Sequence, residues 1–170
     1  AQSRIMRCLQ GDEMPLLPID SPAPDFALKD QFGNVVSLAS LLGSWTVIYF
    51  YPRDDTPGCT REACSFRDNF AGIRDAGATV IGVSADGAES HREFARKYKL
   101  PFSLLIDEGN QMARDYGAWG PKSMYDRTYD GIIRSTYILD PGGRVAKVWP
   151  KVKPDSHGSQ VLDWLRSRAS

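Results

Sequence analysis

Cys59 stands in a segment suited to reactivity. The chain passes from an aromatic and β-branched run, Trp45 to Tyr51, through Pro52, Arg53, Asp54, Asp55, Thr56, Pro57 and Gly58 into residues of helical spacing that carry Cys59 and Cys64. A cysteine at a helix N-terminus faces unpaired backbone N–H groups and the positive end of the helix dipole, and both favour an anion. The thiolate is such an anion, and it is the nucleophilic form of the side chain. Pro57 and Gly58 help the chain make a sharp loop before the helix. Thr56 puts a hydroxyl three residues before the sulfur, in reach of the thiolate or of an oxygen bound beside it. The plainer role of a lone cysteine is a small buried hydrophobe. The strand–loop–helix position argues for chemistry.

The elements that must position this segment can be read on either side of it. Trp45 to Tyr51 reads as a central strand buried on both faces, with Thr79 to Ser84 and Phe102 to Ile106 as further strands. Phe26 to Leu28 and Val35 to Val36 flank the polar turn from Asp30 to Asn34, a hairpin signal. Ser135 to Leu139 and Arg144 to Trp149 flank Asp140-Pro-Gly-Gly143, a second hairpin. Ala63, Phe66, Phe70 and Ile73 step by three and four, which predicts one helix over 59–76 closed at Gly77. Phe94, Ala95 and Tyr98 mark a helix closed by Pro101, and Val161, Leu162 and Leu165 mark the last one. Alternating strands and helices followed by a hairpin and a helix predict an α/β domain with a thioredoxin-like fold: a central mixed β-sheet flanked by helices, with an N-terminal β-hairpin. One such domain is expected over 20–170, preceded by an irregular extension over 1–19 in which Pro15 and Pro18 break any helix.

Composition narrows the functions. Lys plus Arg is 21 and Asp plus Glu is 21, so the formal net charge is zero. No basic excess or stripe points to nucleic acid. No apolar run approaches the roughly 20 residues that span a bilayer. The first residues carry Arg4 and Arg7 but no apolar core, which is not an intact secretory signal. A start at Ala1 suits either loss of an initiator or cleavage of a targeting peptide, so the expected compartment is the cytoplasm, with a plastid or another compartment after presequence removal as the alternative. Three cysteines are too few for a disulfide scaffold. Cys59 and Cys64 with His91, His157 and Cys8 show no paired metal-ligand spacing, so no metal is expected. Both histidines read as solvated or helix-capping residues.

The segment resembles the peroxiredoxin signature Pro-x-x-x-Thr-x-x-Cys, filled by Pro52, Thr56 and Cys59. The longer string from Asp54 to Thr60, with Glu62, Ala63 and Cys64, resembles the bacterioferritin comigratory protein (Q-type) subfamily. Ser21 to Phe26 resembles the family's opening strand motif. Trp119-Gly120, Met124-Tyr125 and Gly131 to Tyr137 resemble its second active-site segment. The resemblance covers about residues 20 to 168. It implies a thioredoxin-dependent hydroperoxide reductase without metal or organic cofactor, with Cys59 as the peroxidatic thiol. Thr56 would orient the peroxide and Pro52 would shield the sulfur from water. Arg134 would lie beside the sulfur, where a guanidinium stabilises the anion and the charge growing on peroxide oxygen. Glu62 suits either a partner for that arginine or an acidic first helical turn.

The resemblance further implies that Cys64 resolves the Cys59 sulfenic acid as an intramolecular disulfide. Residues five apart in a helix lie about 7.5 Å apart along its axis and about 140° around it. A disulfide wants Cα atoms about 4.4–6.8 Å apart. The first turns of the helix are therefore expected to unwind on oxidation. The plainer role of Cys64 is a buried structural thiol, and Cys8 reads as incidental. With no cysteine after Cys64, a C-terminal resolving thiol on a second subunit is not available, and a monomer is expected. Two rivals share the chemistry. A thiol–disulfide oxidoreductase would use C-x-x-C rather than C-x4-C, and a redox sensor would react once where an enzyme turns over.

Overall fold

The computed structural model describes residues 16–124 and 126–169; the readings that fall on Cys8, Pro15 and Tyr125 lie outside them. The run from Trp45 becomes β3 (Trp45–Phe50), after the hairpin strands β1 (Ala27–Lys29) and β2 (Val35–Ser37) and the short helix α1 (Leu38–Leu41). Every residue of β3 after Trp45 is buried, because layers cover both faces of the sheet. Five strands form that sheet in the order β5-β4-β3-β8-β9, where β4 is Ala78–Ser84, β5 Ser103–Ile106, β8 Ser135–Leu139 and β9 Val145–Trp149. β3, β4 and β5 are parallel, while β8 and β9 run antiparallel to their neighbours.

Strand alternation sorts the core into two clusters, one per face. Val47, Tyr49 and Tyr51 pack with Ala63, Phe66 and Ile73 and with Val161, Leu162 and Leu165. Those partners come from α2 (Pro57–Asp68), α3 (Phe70–Asp75) and α6 (His157–Ala169). Ile48 and Phe50 point the other way and pack with Met112, Ala113 and Tyr116 in and just after α5 (Gln111–Asp115). The remaining helix, α4 (Ala88–Tyr98), sends Phe94 into the first cluster. Leu17 donates its N–H to Tyr137 Oη at 3.1 Å, and Asp20 donates to the Val145 carbonyl at 2.8 Å, so residues 17–20 are tied to the sheet.

Two sequence expectations are corrected, and one hairpin is found that the sequence reading did not contain. The single helix over 59–76 is two, because Asn69 (φ −107°, ψ 6°) breaks it. It begins at Pro57, where a missing N–H costs a helix nothing. Residues 119–132 fold as a hairpin, β6 (Trp119–Met124) with β7 (Arg127–Ile132). The strand pattern there was illegible because Arg127 to Asp130 are all exposed and show no apolar alternation. Finally, His91 and His157 are neither solvated nor surface caps: both are 0% exposed.

Candidate active site

β3 delivers the chain into the sheet's centre, and the loop from Tyr51 to Thr56 returns it to the surface of α2. Thr56 is the N-cap residue in extended conformation (φ −91°, ψ 157°), and Pro57 occupies the first helical turn. Cys59 therefore sits in the first turn, 1% exposed and packed among Tyr49, Tyr51 and Ala63. Its sulfur lies in the field of the helix N-terminus, as the spacing requires.

A second strand brings the cation. Arg134 lies between β7 and the start of β8, which pairs with β3. It donates Nη2–H to Cys59 Sγ at 3.2 Å and Nη1–H to Glu62 Oε1 at 2.6 Å. One guanidinium thus bridges two residues of the same helix turn. Of the two roles open to Glu62, the structure selects the arginine partner: the side chain is 0% exposed and cannot act as a solvated helix-start charge. Burial pushes Glu62 up to about 7 against the opposing pull of Arg134. Gly58 lets the guanidinium lie close, since a Cβ there would stand 3.2 Å from Arg134 Nη2.

Thr56 turns its hydroxyl onto the loop, donating to the Arg53 carbonyl at 3.0 Å. That leaves its oxygen lone pairs for an incoming O–H. Pro52 is half-buried at the start of the same loop. The structure thus brings Cys59, Arg134 and Glu62 into direct contact and sets Thr56 one helical turn away, with Pro52 at the loop's entrance. Cys64 lies in the same unbroken helix, half-buried and free. Burial raises its thiol, Arg67 opposes and Asp68 adds, so in the intact helix Cys64 is a protonated, weak nucleophile.

Two groups escaped the sequence reading. Lys122 of β6 donates to the Ile132 carbonyl at 2.9 Å, and burial together with Arg134 lowers it while Cys59 opposes, which makes it a second cation in the site's field. Its signal was its place in the Trp119-to-Tyr137 segment. Tyr49 lies under the site, its phenol pushed far up by burial and then by Glu62 and Cys59. Among the described residues, Tyr49 Oη and Glu62 Oε2 are buried without a hydrogen-bond partner. The group of three that could hold a metal ion among the described residues is Asp54, Asp86 and His91, and it includes neither cysteine.

The fold and this cysteine geometry define a thiol enzyme on a thioredoxin-like scaffold. The chain belongs to the AhpC/TSA family, which it matches over residues 19–148. It is 42% identical over 150 residues to peroxiredoxin Bcp of Bacillus subtilis, covering 88% of this chain and 96% of that protein. It is 47% identical over 148 residues to chloroplastic peroxiredoxin Q of Sedum lineare, covering 86% and 77%. Among solved structures it superposes with TM-score 0.81 and 37% identity on the bacterioferritin comigratory protein of Xanthomonas campestris, covering 85% of this chain and 92% of that one. That structure comes from work on the protein's alkyl peroxide reduction activity. The Q-type resemblance and the peroxidase class read from the sequence are borne out.

Proposed function

We infer that the chain reduces hydrogen peroxide and organic hydroperoxides by attack of the Cys59 thiolate on a peroxide oxygen. The observation that carries this reading is the Arg134 guanidinium, 3.2 Å from Cys59 Sγ and braced by buried Glu62. The sulfur forms the S–O bond as the O–O bond breaks, and the leaving alkoxide takes a proton to become an alcohol or water. Arg134 stabilises the charge at both ends of that displacement. Thr56 accepts the peroxide O–H and orients it, and Pro52 limits the approach of water. Cys59 is left as the sulfenic acid.

Cys64 then attacks the Cys59 sulfenic sulfur, water leaves, and an intramolecular disulfide remains. Both cysteines lie in one helix, so α2 must unwind at its start for the sulfurs to meet. Unwinding also lifts the burial that keeps Cys64 protonated. Thioredoxin is the reductant of this disulfide, and the cycle needs no second subunit, so the unit is a monomer. Among the described residues no helix is long and apolar enough to cross a membrane. Relatives are bacterial and chloroplastic, and the working compartment is the cytoplasm or a plastid.

The test is peroxide consumption with thioredoxin, thioredoxin reductase and NADPH. Cys59→Ser abolishes peroxide reduction, and Cys64→Ser reacts once without recycling. Full activity in Cys59→Ser would overturn the reading. Normal turnover in Cys64→Ser would make this a one-cysteine enzyme.

A further inference from the structure

The loop that presents Thr56 and Cys59 is held from beneath by a buried pair that the peroxidase chemistry does not use. Asp54, five residues before Cys59, is buried, and His91 on α4 is 0% exposed. His91 Nδ1 lies 2.7 Å from Asp54 Oδ2, and Nε2 lies 2.9 Å from the Leu105 carbonyl of β5. A carbonyl only accepts, so Nε2 carries a proton. Asp54 is surrounded by donors: Tyr51 Oη–H reaches Oδ1 at 2.5 Å and Ser90 Oγ–H reaches Oδ2 at 2.8 Å. Both oxygens of the Asp54 carboxyl are thus engaged by protein groups, and the short Asp54–His91 contact is a hydrogen bond. His91 and Asp54 are thus joined by a hydrogen bond that lies inside the protein.

The same acid is fixed at its backbone. Asp54 N–H donates to Asp86 Oδ2 at 2.8 Å, and Ser84 Oγ–H holds that oxygen at 2.8 Å. Asp54, Asp86 and His91 resemble a cation site in composition. Yet both His91 nitrogens and both Asp54 oxygens are already committed to protein hydrogen bonds, so the cluster is complete as a network. A short path then leads to the chemistry. Asp54 sets the adjacent Arg53 carbonyl, and that carbonyl receives the Thr56 hydroxyl at 3.0 Å. The next residue, Asp55, is tethered to α4 as well, through Lys97 at 2.9 Å and Tyr98 at 2.9 Å, but this pair is exposed. Water screens the outer tether and not the inner one.

We propose that His91 is a positioning residue for peroxide reduction: through its bond to Asp54 it holds the Arg53–Thr56 turn in the register that presents a peroxide oxygen to Cys59. This rests on Cys59 being the nucleophile. A displacement of about 1 Å at a reacting group costs on the order of 10²-fold in rate. His91→Leu keeps the apolar volume and removes both hydrogen bonds, and it lowers the second-order rate of Cys59 oxidation by hydrogen peroxide about 10²-fold. Asp54→Asn does the same, and His91→Gln, which retains one donor, recovers about a tenth to a third of the wild-type rate. Asp55→Asn, a residue type that tolerates the left-handed backbone found there (φ 58°), stays within about 3-fold of wild type.

The discriminating readout is alkylation of Cys59 by iodoacetamide, which needs no oxygen oriented by Thr56. It changes less than about 3-fold in all four variants, where general loosening would slow both reactions together. Wild-type oxidation rates in His91→Leu overturn the proposal, as does an equal fall in oxidation and alkylation. Should His91→Leu not fold, Asp54→Asn and His91→Gln decide by the same two rates. Trapping of the sulfenic acid on wild-type Cys59 is scored beside them. Its failure would overturn the nucleophile assignment and the positioning role with it, whereas sulfenic acid formed on wild type together with wild-type oxidation rates in His91→Leu overturns the positioning role alone.

Discussion

The two ends of α2 are held in different ways. At the start, the hydrogen bonds beside Cys59 are made by side chains: Arg134 to the sulfur and to Glu62, with Gly58 leaving room for Arg134. At the far end the two helix backbones themselves come close. Gly158, the second residue of α6, donates its N–H to Ser65 Oγ at 2.8 Å, and a Cβ at Gly158 would lie 2.2 Å from the Ser65 carbonyl oxygen. Phe66 is stacked on Tyr49 with ring centroids 4.6 Å apart, and His157 meets its edge at 5.4 Å. Cys64 sits at the boundary between these regimes. Side-chain contacts can be exchanged one at a time, whereas an interlocked backbone moves as a unit. The comparison teaches which end of α2 the proposed disulfide would open: the Cys59 end, held by side chains, rather than the Ser65 end, where two helix backbones interlock.

Breaking the first end has the largest effect. Arg134→Ala lowers the second-order rate with hydrogen peroxide by about 10²–10³-fold, the usual cost of removing one oxyanion donor. Stopped-flow oxidation of the enzyme checks this, and a loss under tenfold would remove Arg134 from the chemistry. Next comes the second end. Gly158→Ala forces α6 off α2 and costs roughly 3 kcal/mol in urea unfolding, with the first peroxide turnover retained. An unchanged unfolding midpoint would show that the interlock is not tight.

The third effect is pH dependence, and it has opposite signs at the two ends. Glu62 is raised to about 7 by burial, so its protonated form favours folding and that contribution is lost as pH rises through about 7. Between pH 5 and 8 this amounts to roughly 2 kcal/mol, and Glu62→Gln removes it. His157 is lowered to about 4 by burial, with Gln160 opposing and Arg134 adding, so its contribution is full above the ordinary histidine range and is lost as pH falls through about 4. Urea midpoints at a series of pH values separate the two, since Glu62→Gln flattens the alkaline limb alone and His157→Gln the acid limb alone. The smallest effect is that of Gly58→Ala. Its Cβ meets only the guanidinium end of Arg134 at 3.2 Å, and the peroxide rate falls a few-fold, about 1 kcal/mol. A loss as large as that of Arg134→Ala would mean the guanidinium cannot give way.

The two histidines measure how far the sequence can be read. His91 lies three residues before Phe94, and His157 four before Val161, so each continues the apolar stripe of its helix by one turn. That spacing was the available signal of burial. What each ring meets was not available, because its buried partner lies far away in the chain: Asp54 for His91, and the Thr136 hydroxyl at 2.8 Å for His157, which also meets nearby Gln160 at 3.0 Å. Burial lowers the His157 ring to about 4, so beside its hydroxyl and amide partners it is neutral near pH 7.

By itself the sequence determined the local chemistry: a cysteine three residues after a threonine and two after a proline, at the seam between a buried strand and a helix. It also determined the order of the five sheet strands, because periodicity and turn residues act over short spans, but not the exposed hairpin of β6 and β7 or the break at Asn69. Only the tertiary structure decided that Glu62 faces Arg134 rather than water, that Asp54 is locked to His91, and that Gly158 closes on Ser65. These contacts join residues 72, 37 and 93 positions apart. Sheet pairing and helix docking set such distances, and no local pattern along the chain encodes them.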